Sequence, residues 1–288
     1  LMDGTTVTLS KPKIAITMMN GTTPPAFSAR VARKVIGMGL LEAIDEPTIL
    51  AHADPKNCNG SGVAGRVNFV KDPATGALRV GRFGWKAEKV SIQHQVAEAL
   101  HDDMGIGTTL FPMTTGGRMP LLDDDLSHLV TYMRLVSVPG QRKHDDPQVL
   151  AGETTFKTVG CSNCHVTDVV TGPNHPFVEL RNQNIKPYTD LLLHDMGPDL
   201  ADDSGIPTPD PNNPSAPPGA SEWRTPPLWG TGLLGTISAH TGLLHDGRAA
   251  NPLEAILWHG GQAEAIKQKV IQLPAADRAA LLAFIASL

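Results

Sequence analysis

The sequence lacks the features of a membrane-spanning or nucleic-acid-binding protein. No apolar run reaches the roughly 18 residues that a membrane-spanning helix needs. The net charge is −5 and no basic patch is present, so nucleic acid is not expected as a partner. Aromatic residues are also few, at 5%, whereas 28 glycines and 24 prolines indicate much irregular loop between short helices. What is left is a globular chain of 288 residues, with room for two domains or one large one.

Cysteine is scarce too, but two of the three cysteines lie in one short motif, residues 161–165 (CSNCH). Two cysteines at this spacing can form thioethers to the two vinyl groups of a haem, and the adjacent histidine then presents a nitrogen to the iron. The motif predicts one covalent haem c, attached to Cys161 and Cys164, with His165 as the proximal ligand. Haem of this type is attached outside the cytoplasm, so we expect an exported, periplasmic protein. The start at Leu1, without a signal segment, is then typical of a mature or truncated form.

Two other kinds of site use paired cysteines. A redox pair is typical of a βαβ context, which the surrounding sequence does not indicate. A zinc site needs further cysteine or histidine ligands at short spacing, and the remaining cysteine, Cys58, lies far upstream. Cys58 is therefore expected to be a small buried thiol. Its loop, residues 54–62, has the spacing of a calcium loop but few carboxylates, which favours a plain turn over bound calcium.

Helical periodicity recurs along the chain, and strand signals are few and short, so we predict a mainly α fold. The helix that ends before Cys161 should turn Leu150 and Phe156 inward. A stretch rich in proline and asparagine, residues 198–227, is predicted to be a long surface loop. A polar segment after Pro139 indicates a domain boundary near residue 140. The predicted helices cover residues 37–44, 90–101, 123–136, 147–159, 252–259 and 274–288.

Several longer motifs occur in a fixed order, and through them the sequence resembles the di-haem oxidoreductase family, also called thiol oxidoreductases, which is related to bacterial di-haem cytochrome c peroxidases. The resemblance covers nearly the whole chain. The motifs are residues 39–44 (GLLEAI), 81–86 (GRFGWK), 103–106 (DMGI), 191–197 (LLLHDMG), 244–249 (LHDGRA) and 255–261 (AILWHGG).

This resemblance implies two cytochrome-c-like domains with one haem each. Residues 141–288 would form a cytochrome-c-like haem domain, and residues 1–140 would be the remainder of a related, partly irregular α domain. The sequence holds a single Cys-x-x-Cys-His, so we expect the first haem to be attached upstream of this chain. By resemblance, Gln95 and Asp103 match the distal glutamine and acid of the peroxidases, where the acid would move a proton between peroxide oxygens.

The resemblance also implies a function for the haem at Cys161 and Cys164, which would relay electrons to the first haem. The expected partners are an electron donor or acceptor protein and a small oxidant such as peroxide. The alternative is a non-enzymatic electron-transfer cytochrome or a module of a larger redox complex. These two functions differ in whether an iron is open to small ligands.

The distal ligand of the haem must come from elsewhere in the chain. The resemblance to the peroxidases favours His259, which aligns with the position of their distal methionine. Ligation by His165 and His259 would fill both axial positions, which suits electron transfer. The other candidates are Met196, His194, His240 and His245.

Overall fold

The computed structural model describes residues 1–23, 26–114, 120–207, 209–210, 213, 216–238 and 242–288. Within these residues the fold is mainly α with a few short strands, as predicted. The described helices are α1 (Met38–Glu42), α2 (Glu46–His52), α3 (Ile92–Met104), α4 (Asp123–Leu135), α5 (Pro147–Val159), α6 (Leu234–Ile237), α7 (Pro252–Trp258), α8 (Glu264–Ile271) and α9 (Ala275–Ser287).

The described strands form three separate antiparallel pairs, each of two strands. None of the pairs is long enough to make a sheet core. The strands are β1 (Phe69–Lys71) with β2 (Leu78–Val80), β3 (Val169–Val170) with β4 (Asn184–Ile185), and β5 (Leu193–Asp195) with β6 (Glu222–Arg224).

Helix α5 begins and ends on local signals and thereby positions the cysteine motif. The Asp146 carboxylate accepts a hydrogen bond from the backbone N–H of Gln148 at 2.8 Å, and Pro147 occupies the first helical position. Gly160 ends the helix in the left-handed conformation with φ 105, which a residue with a Cβ rarely adopts. The chain therefore leaves the helix immediately before Cys161.

Helix α7 is built in the same way. The side chain of Asn251 accepts a hydrogen bond from the backbone N–H of Glu254 at 3.0 Å, and Pro252 is the first helical residue. The helix ends at Trp258, so His259 is the residue that terminates it. The helix predicted at this position is confirmed.

Helices α5 and α9 pack closely at the centre of one hydrophobic core. A Cβ on Gly152 would lie 1.9 Å from the carbonyl oxygen of Ala280, so the absence of a side chain allows the two backbones to meet. Next to this contact, the rings of Phe156 and Phe284 pack edge to face with centroids 5.3 Å apart. Val149 is buried and Leu150 is 48% exposed, so the prediction that Leu150 faces inward was wrong. The contact with α9 buries the face of α5 that carries Val149.

A second core gathers residues of α1, α3 and α4 around Ile92, Val96 and Val130. Leu191 and Leu192, from beyond residue 140, also belong to this core. Segments from both sides of the predicted boundary thus share one core, and the division at residue 140 stays a prediction.

The surface-loop prediction for residues 198–227 was wrong at its end. Trp223 and Arg224 lie in β6, where both are buried, and Trp223 pairs with His194 across the strands. Three residues are too short a run to give a strand signal in a proline-rich sequence. Among the described residues, no helix combines the length and the apolar character needed to cross a bilayer.

Candidate functional site

The cysteine motif forms a single helical turn directly after α5. The backbone N–H of His165 donates to the carbonyl oxygen of Cys161 at 2.9 Å and closes this turn. Cys161 and Cys164 are both free thiols and both half-buried. Burial raises the pKa of the Cys161 thiol to about 12. A catalytic redox cysteine has the opposite shift, toward the thiolate, so this environment does not favour a redox pair.

The imidazole of His165 is held in the orientation that a metal ligand needs. Its Nδ1 lies 2.8 Å from the carbonyl oxygen of Tyr188. A carbonyl oxygen only accepts hydrogen bonds, so Nδ1 carries the hydrogen and Nε2 keeps its lone pair. Burial lowers the pKa of His165 to about 4, which keeps the ring neutral at neutral pH. Nε2 is therefore free to bind a metal.

His259 has the same arrangement. Its Nδ1 lies 2.6 Å from the carbonyl oxygen of Ala255, one turn earlier in α7, which again leaves Nε2 free. Burial lowers the pKa of His259 as well. The charge of His259 also contributes to the lowered pKa of His165, so the two imidazoles lie within electrostatic range of each other.

The other candidates for the distal ligand differ in their surroundings. His245 is buried and stacks on the ring of Trp223 with centroids 3.7 Å apart. Met196 lies beside the residue that follows His259, since a Cβ on Gly260 would be 3.0 Å from the carbonyl oxygen of Met196. His240 lies outside the described residues.

His194 has acceptors at both ring nitrogens. Nε2 lies 2.8 Å from a carboxylate oxygen of Asp190, and Nδ1 lies 3.0 Å from Oε1 of Gln262. Burial opposes the charged form, but the Asp190 carboxylate outweighs it and raises the pKa of His194 well above its usual value. An imidazolium that donates from both nitrogens has no lone pair for a metal.

Sequence reasoning missed the grouping of His194 with Asp190 and Cys164. One ligand atom of each lies within 4.8 Å of the others, which is the spacing of a metal site, but a protonated His194 has no lone pair to offer. A cavity of about 120 Å³ adjoins the group and is lined by Asp190 and His194 together with Asp54. Asp190 and His194 are four residues apart, but Cys164 is distant from them in the chain, so no local pattern signals the contact of the whole group.

In the loop of residues 54–62, which has the spacing of a calcium loop, side-chain oxygens accept hydrogen bonds from the backbone of the loop itself. The Asp54 carboxylate accepts from the N–H groups of Cys58 and Asn59 at 2.8 and 3.0 Å. The side-chain oxygen of Asn57 accepts from the N–H of Gly62 at 3.0 Å. These are the contacts of a plain turn. The expectation that Cys58 is buried was wrong, because it lies at the exposed tip of this turn.

Gln95 and Asp103 both belong to α3, but the structure does not bring them together. Gln95 is half-buried in the first turn of the helix, and Asp103 is exposed in its last turn. Eight residues of helix separate them by roughly 12 Å along the axis. A shared contact with one peroxide molecule would require the end of α3 to move.

The surroundings of His259 fit an apolar group with a hydrogen-bond acceptor. All seven residues of α7 are only half-buried, including Ile256 and Leu257, although the helix is largely apolar. The indole N–H of Trp258 is buried and has no acceptor among the described residues. A haem would cover these apolar side chains, and one of its propionate oxygens could accept a hydrogen bond from the indole N–H of Trp258. The imidazole of His259 and its apolar surroundings therefore both fit a haem.

Comparison with known proteins extends this description. The sequence model of a family described as "Di-haem oxidoreductase, putative peroxidase" matches residues 25–128 and 122–288. No curated protein matched the chain. A solved chain titled "Kuenenia stuttgartiensis Hydrazine Synthase Pressurized with 20 bar Xenon" is 16% identical, with a TM-score of 0.43, over 97% of this chain and 100% of that chain. At that TM-score the likeness carries no argument about fold or function.

Proposed function

Because this chain belongs to the di-haem oxidoreductase family, we propose that it is a peroxidase-like oxidoreductase that binds haem c at Cys161 and Cys164. One observation carries the proposal. The cysteine motif closes a helical turn, and Tyr188 holds the adjacent His165 with its Nε2 free. When bound there, haem c would supply one-electron transfer to or from the first haem of the di-haem protein, where peroxide would react.

The proposed axial ligands are His165 and His259. Each imidazole donates from Nδ1 to a backbone carbonyl oxygen, which fixes the ring and raises the basicity of Nε2. Two neutral imidazoles would hold the iron in a closed, low-spin state that exchanges electrons without binding small molecules. Phe156 packs against His165 with ring centroids 6.2 Å apart and helps to exclude water from the proximal side.

The proposal extends to the architecture and the location of the protein. Helices α5, α7 and α9 would form a cytochrome-c-like domain around the haem, in which α5 leads into the motif and α7 ends at the distal ligand. Covalent attachment of haem c implies an exported, periplasmic protein. An electron donor or acceptor protein is then the expected macromolecular partner.

Gln95 and Asp103 are proposed to act at the first haem, where peroxide would react. The Asp103 carboxylate is exposed and free to accept a proton from one peroxide oxygen and return it to the other. The Gln95 amide can orient the peroxide by hydrogen bonding. This role requires α3 to face the reaction site, and it requires the end of α3 to move so that both side chains reach one peroxide molecule.

The alternative function is electron transfer without catalysis. The two imidazoles favour it, since an iron closed on both sides binds no substrate. Addition of cyanide or carbon monoxide distinguishes the two functions. A shift of the Soret band indicates an open iron, as a peroxidase requires. A Soret band that does not shift for any haem of the natural protein supports an electron carrier.

The haem itself is tested by a pyridine haemochrome assay on the purified natural protein. Cys161→Ala and Cys164→Ala are each expected to lose a thioether bond, which shifts the haemochrome band. Cys58→Ala is the matched control, because that cysteine is exposed and lies outside the motif. Absence of haem from the wild-type protein would refute the proposed function.

A further inference from the structure

A group of cations and aromatic rings lies where the segment around Val31 runs beside the turn that contains His245. The backbone N–H of Val31 donates to the carbonyl oxygen of His245 at 2.8 Å and joins the two segments. His245 stacks on Trp223, and Trp85 meets each of these rings at a centroid distance of 6.4 Å. The rings form a rigid apolar surface beneath the cations.

Some cations of this group have carboxylate partners, and these pairs need no further counter-charge. Each pair joins a side chain nitrogen to a carboxylate oxygen at ion-pair distance. The pairs are Arg30 with Glu88 at 3.0 Å, Lys86 with Asp202 at 3.6 Å, and Arg248 with Asp246 at 2.8 Å.

Arg33 is different. Its guanidinium carbon lies 4.0 Å over the ring of Trp85, and its Nη2 is buried without an acceptor among the described residues. Burial lowers the pKa of Arg33 well below its usual value, and the charge of Arg224 adds to this effect. The Glu88 carboxylate opposes this shift, but it already pairs with Arg30 at 3.0 Å. The buried Nη2 of Arg33 therefore calls for a further anion.

Two neighbouring cations lack a paired carboxylate as well. Lys34 and Arg224 donate hydrogen bonds to neutral oxygens. Nζ of Lys34 lies 2.7 Å from the carbonyl oxygen of Trp229, and Nε of Arg224 lies 3.0 Å from the carbonyl oxygen of Gly84. Arg224 is only 3% exposed. The charges of Asp190 and Glu88 favour the charged form of Arg224. In the part of the chain that the structure describes, however, no carboxylate lies at ion-pair distance from Arg33, Lys34 or Arg224.

We propose that Arg33, supported by Lys34 and Arg224, binds a propionate of the haem, an inference that rests on the proposed function. A guanidinium matches a carboxylate through paired hydrogen bonds. The turn that contains His245 runs directly into α7, which ends at His259, so the cations flank the unit that carries the proposed distal ligand. The propionate would supply a carboxylate at ion-pair distance.

The test uses the haem-loaded protein and the variant Arg33→Gln, with three measurements besides activity. The propionate bending band in the resonance Raman spectrum is expected to shift, because the propionate loses its strongest donor. The midpoint potential is expected to fall, because a positive charge near the haem favours the reduced state. The melting temperature is expected to fall as well, since the propionate is left without its partner.

Arg33→Lys keeps the charge and is expected to recover most of the potential, but not the Raman band, because an ammonium lacks the planar fork. Arg79→Gln is the matched control. Arg79 is half-exposed and pairs with Glu46 outside the group, so neither the band nor the potential should change.

An unchanged Raman band in Arg33→Gln would overturn the proposal. A rise in the melting temperature of this variant would overturn it too, because removal of a buried cation stabilises a protein only when that cation has no partner. Inorganic phosphate tests the other source of an anion. If phosphate raises the melting temperature of the wild type but not of Arg33→Gln, and the band does not move, the site binds a free anion instead. Haem content is measured in the same samples, so an absent haem refutes the proposed function and an unchanged band with haem present refutes only this site.

Discussion

The Nδ1 of His165 donates a hydrogen bond to the carbonyl oxygen of Tyr188 at 2.8 Å. The acceptor is a backbone atom, so the orientation of the ring depends on the path of the chain and not on another side chain. Tyr188 is itself buried and packs edge to face on Phe156 and Phe284. The orientation of the proposed proximal ligand is thus coupled directly to the core between α5 and α9.

The first prediction concerns the distal ligand. His259→Ala is expected to convert a low-spin haem spectrum into a high-spin one, because the sixth position of the iron would be left to water or to nothing. Optical and electron paramagnetic resonance spectra measure the change. His128→Ala, an exposed histidine on α4, serves as the control and should leave the spectrum unchanged. A spectrum that stays low-spin in His259→Ala would make Met196 the next ligand to test.

The contrast between local and distant contacts explains how far the sequence predicted this site. The first residues of α5 and α7 were predictable because their start signals act on the next few residues. These signals are Asp146 with Pro147 and Asn251 with Pro252. The prediction of His165 as a ligand rests on a contiguous motif, and it stays a prediction.

Other features depend on contacts that no local pattern records. Val149 and Leu150 are both apolar, and only the crossing with α9 decides which of them is buried. Likewise, the bond between His194 and Asp190 becomes significant only because Cys164 lies beside them. The acceptor for Nδ1 of His165, the carbonyl oxygen of Tyr188, was not predictable either, since a backbone carbonyl leaves no trace in the sequence.

The second prediction concerns peroxide turnover by the natural protein. Asp103→Ala and Gln95→Ala should each lower turnover, by about 100-fold or more for the acid, since general acid–base groups contribute on that scale. Gln93→Ala is the matched control, because Gln93 is exposed on the same helix. Steady-state assays with hydrogen peroxide measure the effect. Equal turnover in all three variants would remove both residues from the mechanism.

The third prediction concerns stability against pH. Burial lowers the pKa of His245 to about 4, although Asp246 opposes the shift. The unfolded state keeps a pKa of about 6.5. Between these values the unfolded state binds more protons, so the free energy of unfolding falls as the pH falls, by up to about 3 kcal/mol.

His245→Phe preserves the stacking on Trp223 and cannot titrate, so it should lose less stability than the wild type over this range. Urea unfolding at pH 7 and pH 4.5 measures both losses. Parallel losses in the two proteins would show that His245 is not the group responsible.

The fourth prediction concerns the contact between α5 and α9 that supports His165. Gly152→Ala adds a methyl group where the carbonyl oxygen of Ala280 lies 1.9 Å away, so the helices must separate. Overpacking of this kind costs about 1–3 kcal/mol in the free energy of unfolding. Because Phe156 and Tyr188 lie in the same core, the haem spectrum should also change as the proximal ring loses its fixed orientation. Gly140→Ala is the matched control, since Gly140 is exposed and no atom lies within 4 Å of the added Cβ. Urea unfolding and optical spectra of the two variants test the coupling, and a Gly152→Ala protein as stable as the Gly140→Ala protein would contradict it.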